Sequence, residues 1–123
     1  MALRSLLGCL SVAALAVCTW TACKGTKTQA SAADLDKRCV QLGRACGDSD
    51  KHNEKIVKEC KQAVTMQVEK GCAGEASAVY DCYEKQLCGK GDKVWAIDDL
   101  RVLADRESKC VAERNAGREC LGK

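Results

Sequence analysis

Apolar positions in this chain follow two regimes. From Leu6 to Cys18 they run almost unbroken, whereas beyond Lys24 they recur every three or four residues among charged ones. That recurrence is the signature of amphipathic helices, and no stretch alternates with period two over the length of a strand. Leu35, Cys39, Leu42 and Cys46 form one stripe, and Ile56, Cys60, Ala63, Val64 and Gln67 a second. Val94, Ile97, Leu100 and Leu103, followed by Cys110, form the last. Proline, which would break such stripes, is absent. The pattern predicts an all-α domain, a small bundle of four or five helices.

The punctuation between stripes sets the boundaries. Ser31 with Asp34 three residues on resembles a capping box whose acid is one carbon short, and opens a helix that runs to about Cys46. Gly47-Asp48-Ser49-Asp50 is a turn ending in good N-cap residues, so a second helix is expected over about 51–70. Residues 71–74 break it, and a third helix covers about 75–88. Gly89-Lys90-Gly91-Asp92 is the next break, and residues 93–119 fit either one long helix or two shorter ones. Lys24 to Ala30 is polar and small, too poor in apolar side chains to fold alone, so residues 23–30 read as a flexible tether and 31–123 as the helical domain. A weak internal repeat also runs through the domain. Cys39 and Cys46-Gly47 are spaced much like Cys82 and Cys88-Gly89, and Cys72-Ala73-Gly74 matches Cys120-Leu121-Gly122, with Cys60 and Cys110 between. Duplication of a helical hairpin and chance similarity between lysine- and alanine-rich helices both account for it.

The unbroken apolar run lies behind Arg4 and ahead of small residues, the three parts of an export signal. Its 13 residues fall short of the roughly 20 that span a bilayer as a helix, which makes an uncleaved anchor the weaker reading. Trp20-Thr21-Ala22-Cys23 resembles the lipobox of bacterial lipoprotein precursors, with Ala22 in place at −1, Thr21 tolerable at −2 and Trp20 departing from the usual leucine at −3. Leu6-Leu7-Gly8-Cys9 matches in letters but leaves almost no apolar run before the cut. Leu15-Ala16-Val17-Cys18 places bulky Val17 at −1 and strands Cys23 as an odd thiol. The resemblance implies that residues 1–22 are a signal peptide and that Cys23 becomes the acylated N-terminus of a 101-residue mature chain. It also implies a membrane tether, since two or three acyl chains anchor durably where one does not. Lys24 at +2, in place of a retaining Asp, favours the outer membrane. An ordinary secretory cut near the same place would instead leave a soluble, secreted protein.

Eight of the eleven cysteines follow Cys23, at 39, 46, 60, 72, 82, 88, 110 and 120. An even set behind an export leader reads as a disulfide framework. Such a framework suits a domain of this size, because the chain has no Phe and Tyr80, Tyr83 and Trp95 are the only large aromatic side chains beyond the leader. All three are expected in the core, where each would contribute roughly 1.5–3 kcal/mol. Four bridges at about 2–4 kcal/mol each supply what the core lacks, as in other small exported domains. No two cysteines stand as C-x2-C, and His52 is the only histidine. The chain therefore lacks the spacings of zinc and cluster sites, of thioredoxin-like centres and of haem attachment, and no metal or cofactor is expected.

Eight cysteines allow 105 pairings, and rise along a helix narrows them. Cys46 ends the first helix while Cys60 lies about nine residues into the second, roughly 14 Å away, whereas Cys39 reaches a level similar to Cys60. Cys39 with Cys60 is therefore favoured. Cys72 to Cys82 and Cys110 to Cys120 are both C-x9-C, a spacing similar to that of coiled-coil-helix-coiled-coil-helix proteins, in which nested bridges join antiparallel helices. The resemblance covers residues 72–120 only and implies a shared geometric solution, with Cys72 joined to Cys120 and Cys82 to Cys110. Cys46 with Cys88 completes the set.

Net charge is +3, or +2 once Arg4 leaves with the leader, and shows no clustered basic face of the kind nucleic acid requires. The charges interleave instead. Asp34 with Arg38, Glu54 with Lys58, Asp81 with Lys85 and Asp105 with Lys109 stand four apart with the acid first, the favourable helical order, worth a few tenths of a kcal/mol each. Candidates for catalysis are thin. His52 reads as an exposed residue of a capping region, and Asp98 and Asp99 point about 100° apart on a helix and face solvent. Ser49, Ser77 and Ser108 have no histidine at a recognisable spacing, and Gly89-Lys90-Gly91 follows a helix and is too short to be a phosphate loop. The sequence reading is a noncatalytic cell-envelope lipoprotein, a binding or structural module for an unidentified protein or envelope polymer. A secreted disulfide-stapled effector or inhibitor, and a redox or metal-handling protein that would need free thiols, are the alternatives.

Overall fold

The computed structural model describes residues 30–123; the expected leader, Cys23 and the expected tether up to residue 29 lie outside them. Helix α1 (Ala32–Cys46) begins at the predicted box. The Ser31 hydroxyl accepts from the Asp34 N–H at 3.1 Å, and Asp34 Oδ2 accepts in return from the Ser31 N–H at 3.1 Å. The Ser31 hydroxyl and backbone N–H hold the Asp34 carboxyl below the usual carboxylate range. Helix α2 (Asp50–Glu69) is capped by Ser49, and α3 (Ala73–Gln86) starts two residues ahead of its predicted position. A single 3-10 turn, Cys88–Lys90, then ends at Gly91 with φ +105°, a left-handed conformation that glycine adopts without a Cβ penalty.

The last stretch is two helices, α4 (Ile97–Arg106) and α5 (Val111–Leu121). The break contains no glycine or proline; Ser108 and Cys110 take it up with φ near +53° and +54°. Its consequence is visible at Asp105 and Arg114, which form an ion pair. Nine residues along a continuous helix would separate them by about 13.5 Å.

The core follows the stripes. Leu35, Cys39, Leu42 and Cys46 of α1 are fully buried against Ile56, Cys60 and Val64 of α2, and Tyr80, Tyr83 and Leu87 add the contribution of the α3 region. Leu100, Leu103 and Ala104 bring α4 into the same cluster, and Val94 joins it from the connector. There the Val94 N–H donates to the Cys46 carbonyl at 2.8 Å, within an isolated parallel bridge between Gly47 and Val94. The described domain is thus all-α, with five helices and no strand among the described residues.

Four bridges staple the helices: Cys39–Cys60, Cys46–Cys88, Cys72–Cys120 and Cys82–Cys110, with Cα–Cα separations of 4.9–5.8 Å. These pairs map onto the internal repeat in an ordered way. If Cys39, Cys46, Cys60 and Cys72 correspond to Cys82, Cys88, Cys110 and Cys120, exchanging the two halves leaves the set of bonds unchanged. Cys39–Cys60 becomes Cys82–Cys110, and each of the other two bonds joins a cysteine to its own counterpart. Two facing copies of one bridged hairpin would make this arrangement, with the α2 position of the second copy divided into α4 and α5.

Two of the four predicted charge pairs are redirected. Arg38 leaves Asp34, which is committed to the cap, and meets Glu84 at 2.9 Å and Asp81 at 3.2 Å on α3. Asp105 pairs with Arg114 instead of Lys109, because α4 ends at Arg106 and the four-residue register is lost. Asp81 with Lys85 forms at 2.8 Å, while on α2 the observed pair is Lys55 with Glu59 at 3.8 Å.

Candidate binding surface

Trp95 corrects the expectation of three buried aromatics. Tyr80 and Tyr83 lie in the core, but Trp95 is 63% exposed. The reason is local. Val94 and Ile97 both turn toward the core, and the residue just past Val94 is carried away from that face. The apolar stripe Val94, Ile97, Leu100 and Leu103 already excluded Trp95, which was the signal available in the sequence.

The exposed indole is held in place. Its Nε1–H donates to Asp48 Oδ2 at 2.8 Å, and its ring stacks on that of His52 with centroids 5.3 Å apart and planes 14° from parallel. His52 Nδ1 contacts Asp48 Oδ1 in turn. Because an ionised carboxylate only accepts, Nδ1 carries the proton in that contact. The hydrogen bond from His52, with that from Trp95, holds the Asp48 carboxyl below the usual carboxylate range. His52 therefore sits at the start of α2 as expected, but its ring is half-covered by Trp95 instead of standing free in solvent.

The turn that carries Asp48 is fixed by its neighbours. Ser49 caps α2, and the Asn53 carboxamide, with its nitrogen facing the carbonyls, donates to Gly43 at 2.7 Å and Ser49 at 3.3 Å. On the opposite side, Asp99 Oδ2 accepts from the N–H groups of Trp95 (3.2 Å) and Ala96 (3.0 Å). Glu59 of α2 reaches across to accept from the Ile97 N–H at 2.9 Å. Three consecutive N–H groups, two just before α4 and the first within it, are thus satisfied by carboxylates, a favourable arrangement at a positive helix end. Beside the indole lies a shallow depression of about 360 Å³, whose wall includes Trp95, Val102, Lys93 and Arg106. Val102 is exposed as well, so an apolar strip with charged margins faces outward.

The remaining sequence candidates separate. Asp98 and Asp99 diverge, the first toward Arg101 at 3.8 Å and the second into the cap just described. Ser49 Oγ does stand 3.0 Å from the histidine, but on Nδ1, the nitrogen that also faces Asp48. A nucleophilic triad needs serine and carboxylate on opposite ring nitrogens, so these three residues form a cap and not a relay. Ser77 lies within α3, Ser108 in the α4–α5 turn, and Gly89 to Gly91 in the 3-10 turn. All eight described cysteines are bridged, which leaves no free thiol among the described residues. Nor do three or more His, Cys, Asp or Glu side chains gather as metal ligands there. No described helix is long and apolar enough to cross a membrane. Cys23, the residue assigned to lipidation, is outside the described residues. Compared with known proteins, the chain matches no family model, no curated protein and no solved structure.

Proposed function

We propose that this protein is a noncatalytic, lipid-anchored module of the cell envelope, favouring the outer membrane, that binds an envelope protein or polymer through the surface around Trp95. The observation that carries the binding reading is Trp95 itself. A tryptophan left 63% exposed yet fixed by Asp48 and His52 is a rigid amphipathic contact whose ordering cost is already met before a partner arrives. The disulfides support an oxidising, extracytoplasmic address. They also support the anchor, because pairing Cys39 to Cys120 among themselves leaves Cys23 without a bridging role in the mature chain.

The test has two parts. Intact mass of the membrane-extracted protein, combined with incorporation of a fatty-acid analogue, should show a chain beginning at acylated Cys23; an unacylated chain in the medium would replace the anchored reading with the secreted one. A form beginning at Lys24, made without leader or acyl group and with its four bridges closed, should still cosediment with isolated envelopes, and Trp95→Ala should remove most of that retention. Equal retention of both would place the contact elsewhere.

A further inference from the structure

On the side of the molecule formed by α3, the end of α4 and α5 lies a cavity of about 240 Å³. Its body is apolar, with Ala76, Val79 and Leu121 around the buried Cys72 of the Cys72–Cys120 bridge. Its polar groups are nearly all donors. Arg114, the one charged residue buried among the described ones at 9% exposure, lines it together with Arg101 and Arg118, against a single acid, Asp105.

Two groups in this wall keep donors without a protein acceptor among the described residues. A guanidinium carries five N–H donors, and the only protein acceptor for that of Arg114 among the described residues is Asp105. Tyr83 is 95% buried, yet its hydroxyl makes no hydrogen bond to any described residue, whereas the neighbouring Tyr80 hydroxyl donates to Gln67 Oε1 at 3.1 Å. Among the described residues no side-chain nitrogen or oxygen is both sealed from solvent and unpartnered. The free donors therefore keep access to open space, and the open space that both residues line is this cavity. Burial raises the Tyr83 phenol above its ordinary value, which keeps its proton in place as a donor at neutral pH.

Gly117 supplies an independent observation. It sits in the middle of α5, where glycine is about 1 kcal/mol worse than alanine. Neither backbone nor packing demands it. Its φ is not positive, and an added Cβ would meet only Val79 Cγ2, at an ordinary 3.7 Å. What the missing side chain does is leave the cavity open between α5 and α3.

We propose that this cavity binds a small organic carboxylate, its head group accepting from Arg114 and the Tyr83 hydroxyl and its compact hydrocarbon body lying over Gly117 against Val79 and Leu121. The planar guanidinium matches a carboxylate edge to edge, and Asp105 occupies only part of its fork. The apolar wall selects against bare inorganic anions, which cannot fill it. The volume exceeds the roughly 150 Å³ that accommodates benzene, so an aryl carboxylate or an alkanoate of about six carbons fits.

The test titrates the full-length protein, bridges intact, with benzoate and with hexanoate, following the Val79 and Leu121 methyls and the Tyr83 ring by NMR. Saturable shifts at these groups with Kd of about 1 mM or tighter are expected, with benzyl alcohol, hexanol and inorganic phosphate each at least about tenfold weaker. Gly117→Leu fills the space without replacing a charged residue and should abolish the shifts while preserving helix content and thermal stability. Arg114→Gln should remove the preference of acid over alcohol. Absence of saturation up to about 10 mM, equal binding of the alcohols or of phosphate, or benzoate binding that survives Gly117→Leu would each overturn the assignment.

Discussion

Asp48 accepts a hydrogen bond from the Trp95 indole across 47 residues of sequence, and the same carboxylate holds the ring of His52 beneath it. A turn residue thereby orients the main exposed aromatic of the domain. Because the folded state lowers the Asp48 pKa, its contribution is complete above the unfolded value of about 3.9 and is lost as pH falls through the lower folded value. In a chain beginning at Cys23, Trp95 is the only tryptophan, so its fluorescence should change in an acid transition centred below about pH 3.9. Asp48→Asn should remove that transition. An acid transition identical in the variant would show that Asp48 does not position the ring.

Gly43 lies at a close approach of α1 to α2. An added Cβ would stand 2.5 Å from Val57 Cγ2 and 2.8 Å from the Asn53 carbonyl oxygen, and the latter is backbone that cannot rotate away. Alanine would gain about 1 kcal/mol in helix propensity, but overpacking typically costs about 1–3 kcal/mol, so the clash wins. Gly43→Ala should lower stability by about 1–2 kcal/mol, whereas Gly74→Ala, where a Cβ meets nothing within 4 Å, should be neutral or stabilising by up to about 1 kcal/mol. Thermal melts of the two variants decide this, since each kcal/mol moves Tm by roughly 4–8 °C in a domain of this size.

The bridges should differ less by loop length than by burial. Cys72–Cys120 spans 48 residues against 21 for Cys39–Cys60, but with Cys82–Cys110 closed inside it the outer bond shuts only two ten-residue arms. Both bonds then contribute about 3.3 kcal/mol in chain entropy. Cys39 and Cys60 are both fully buried, while Cys120 is not, and losing buried sulfur adds roughly 1 kcal/mol for transfer and cavity. Replacing Cys39 and Cys60 together by alanine should therefore destabilise by about 1 kcal/mol more than replacing Cys72 and Cys120. The reverse order would mean that the nested geometry does not shorten the outer loop.

Arg38 is shared between Glu84 and Asp81, joining α1 to α3 with all three side chains only partly exposed. Screening keeps the contribution modest, about 1 kcal/mol. Arg38→Met should lower the urea midpoint at low salt, with the difference from the parent shrinking as sodium chloride rises past a few tenths molar. A double-mutant cycle with Glu84→Gln should return a coupling of about 0.5–1 kcal/mol; zero coupling would reduce the pair to a surface contact.

Helix content, the first cap and the inward stripes were legible in the residues because each depends on neighbours three or four positions away. Ser31 with Asp34, and Leu35 through Cys46, needed nothing from the rest of the chain. The two-helix ending was not legible, since the bend at Ser108 and Cys110 has no glycine or proline to announce it and accompanies the Cys82–Cys110 bond and the Asp105–Arg114 pair. The binding surface was not legible. The sequence reading put Trp95 in the core, although its place off the apolar stripe argued otherwise, and nothing local showed that Asp48 and His52 would hold it or that a donor-rich cavity would form around Arg114.

By itself the sequence determined the all-helical class, where most helices start and which faces turn inward, because periodicity and capping act over a single turn. Only the tertiary structure decided that Trp95 faces outward, that Arg38 serves α3 instead of its own helix, and that Arg114 and Tyr83 share an open space. Those outcomes depend on which surfaces meet once the chain has closed on itself, a global property to which bridges and packing contribute together.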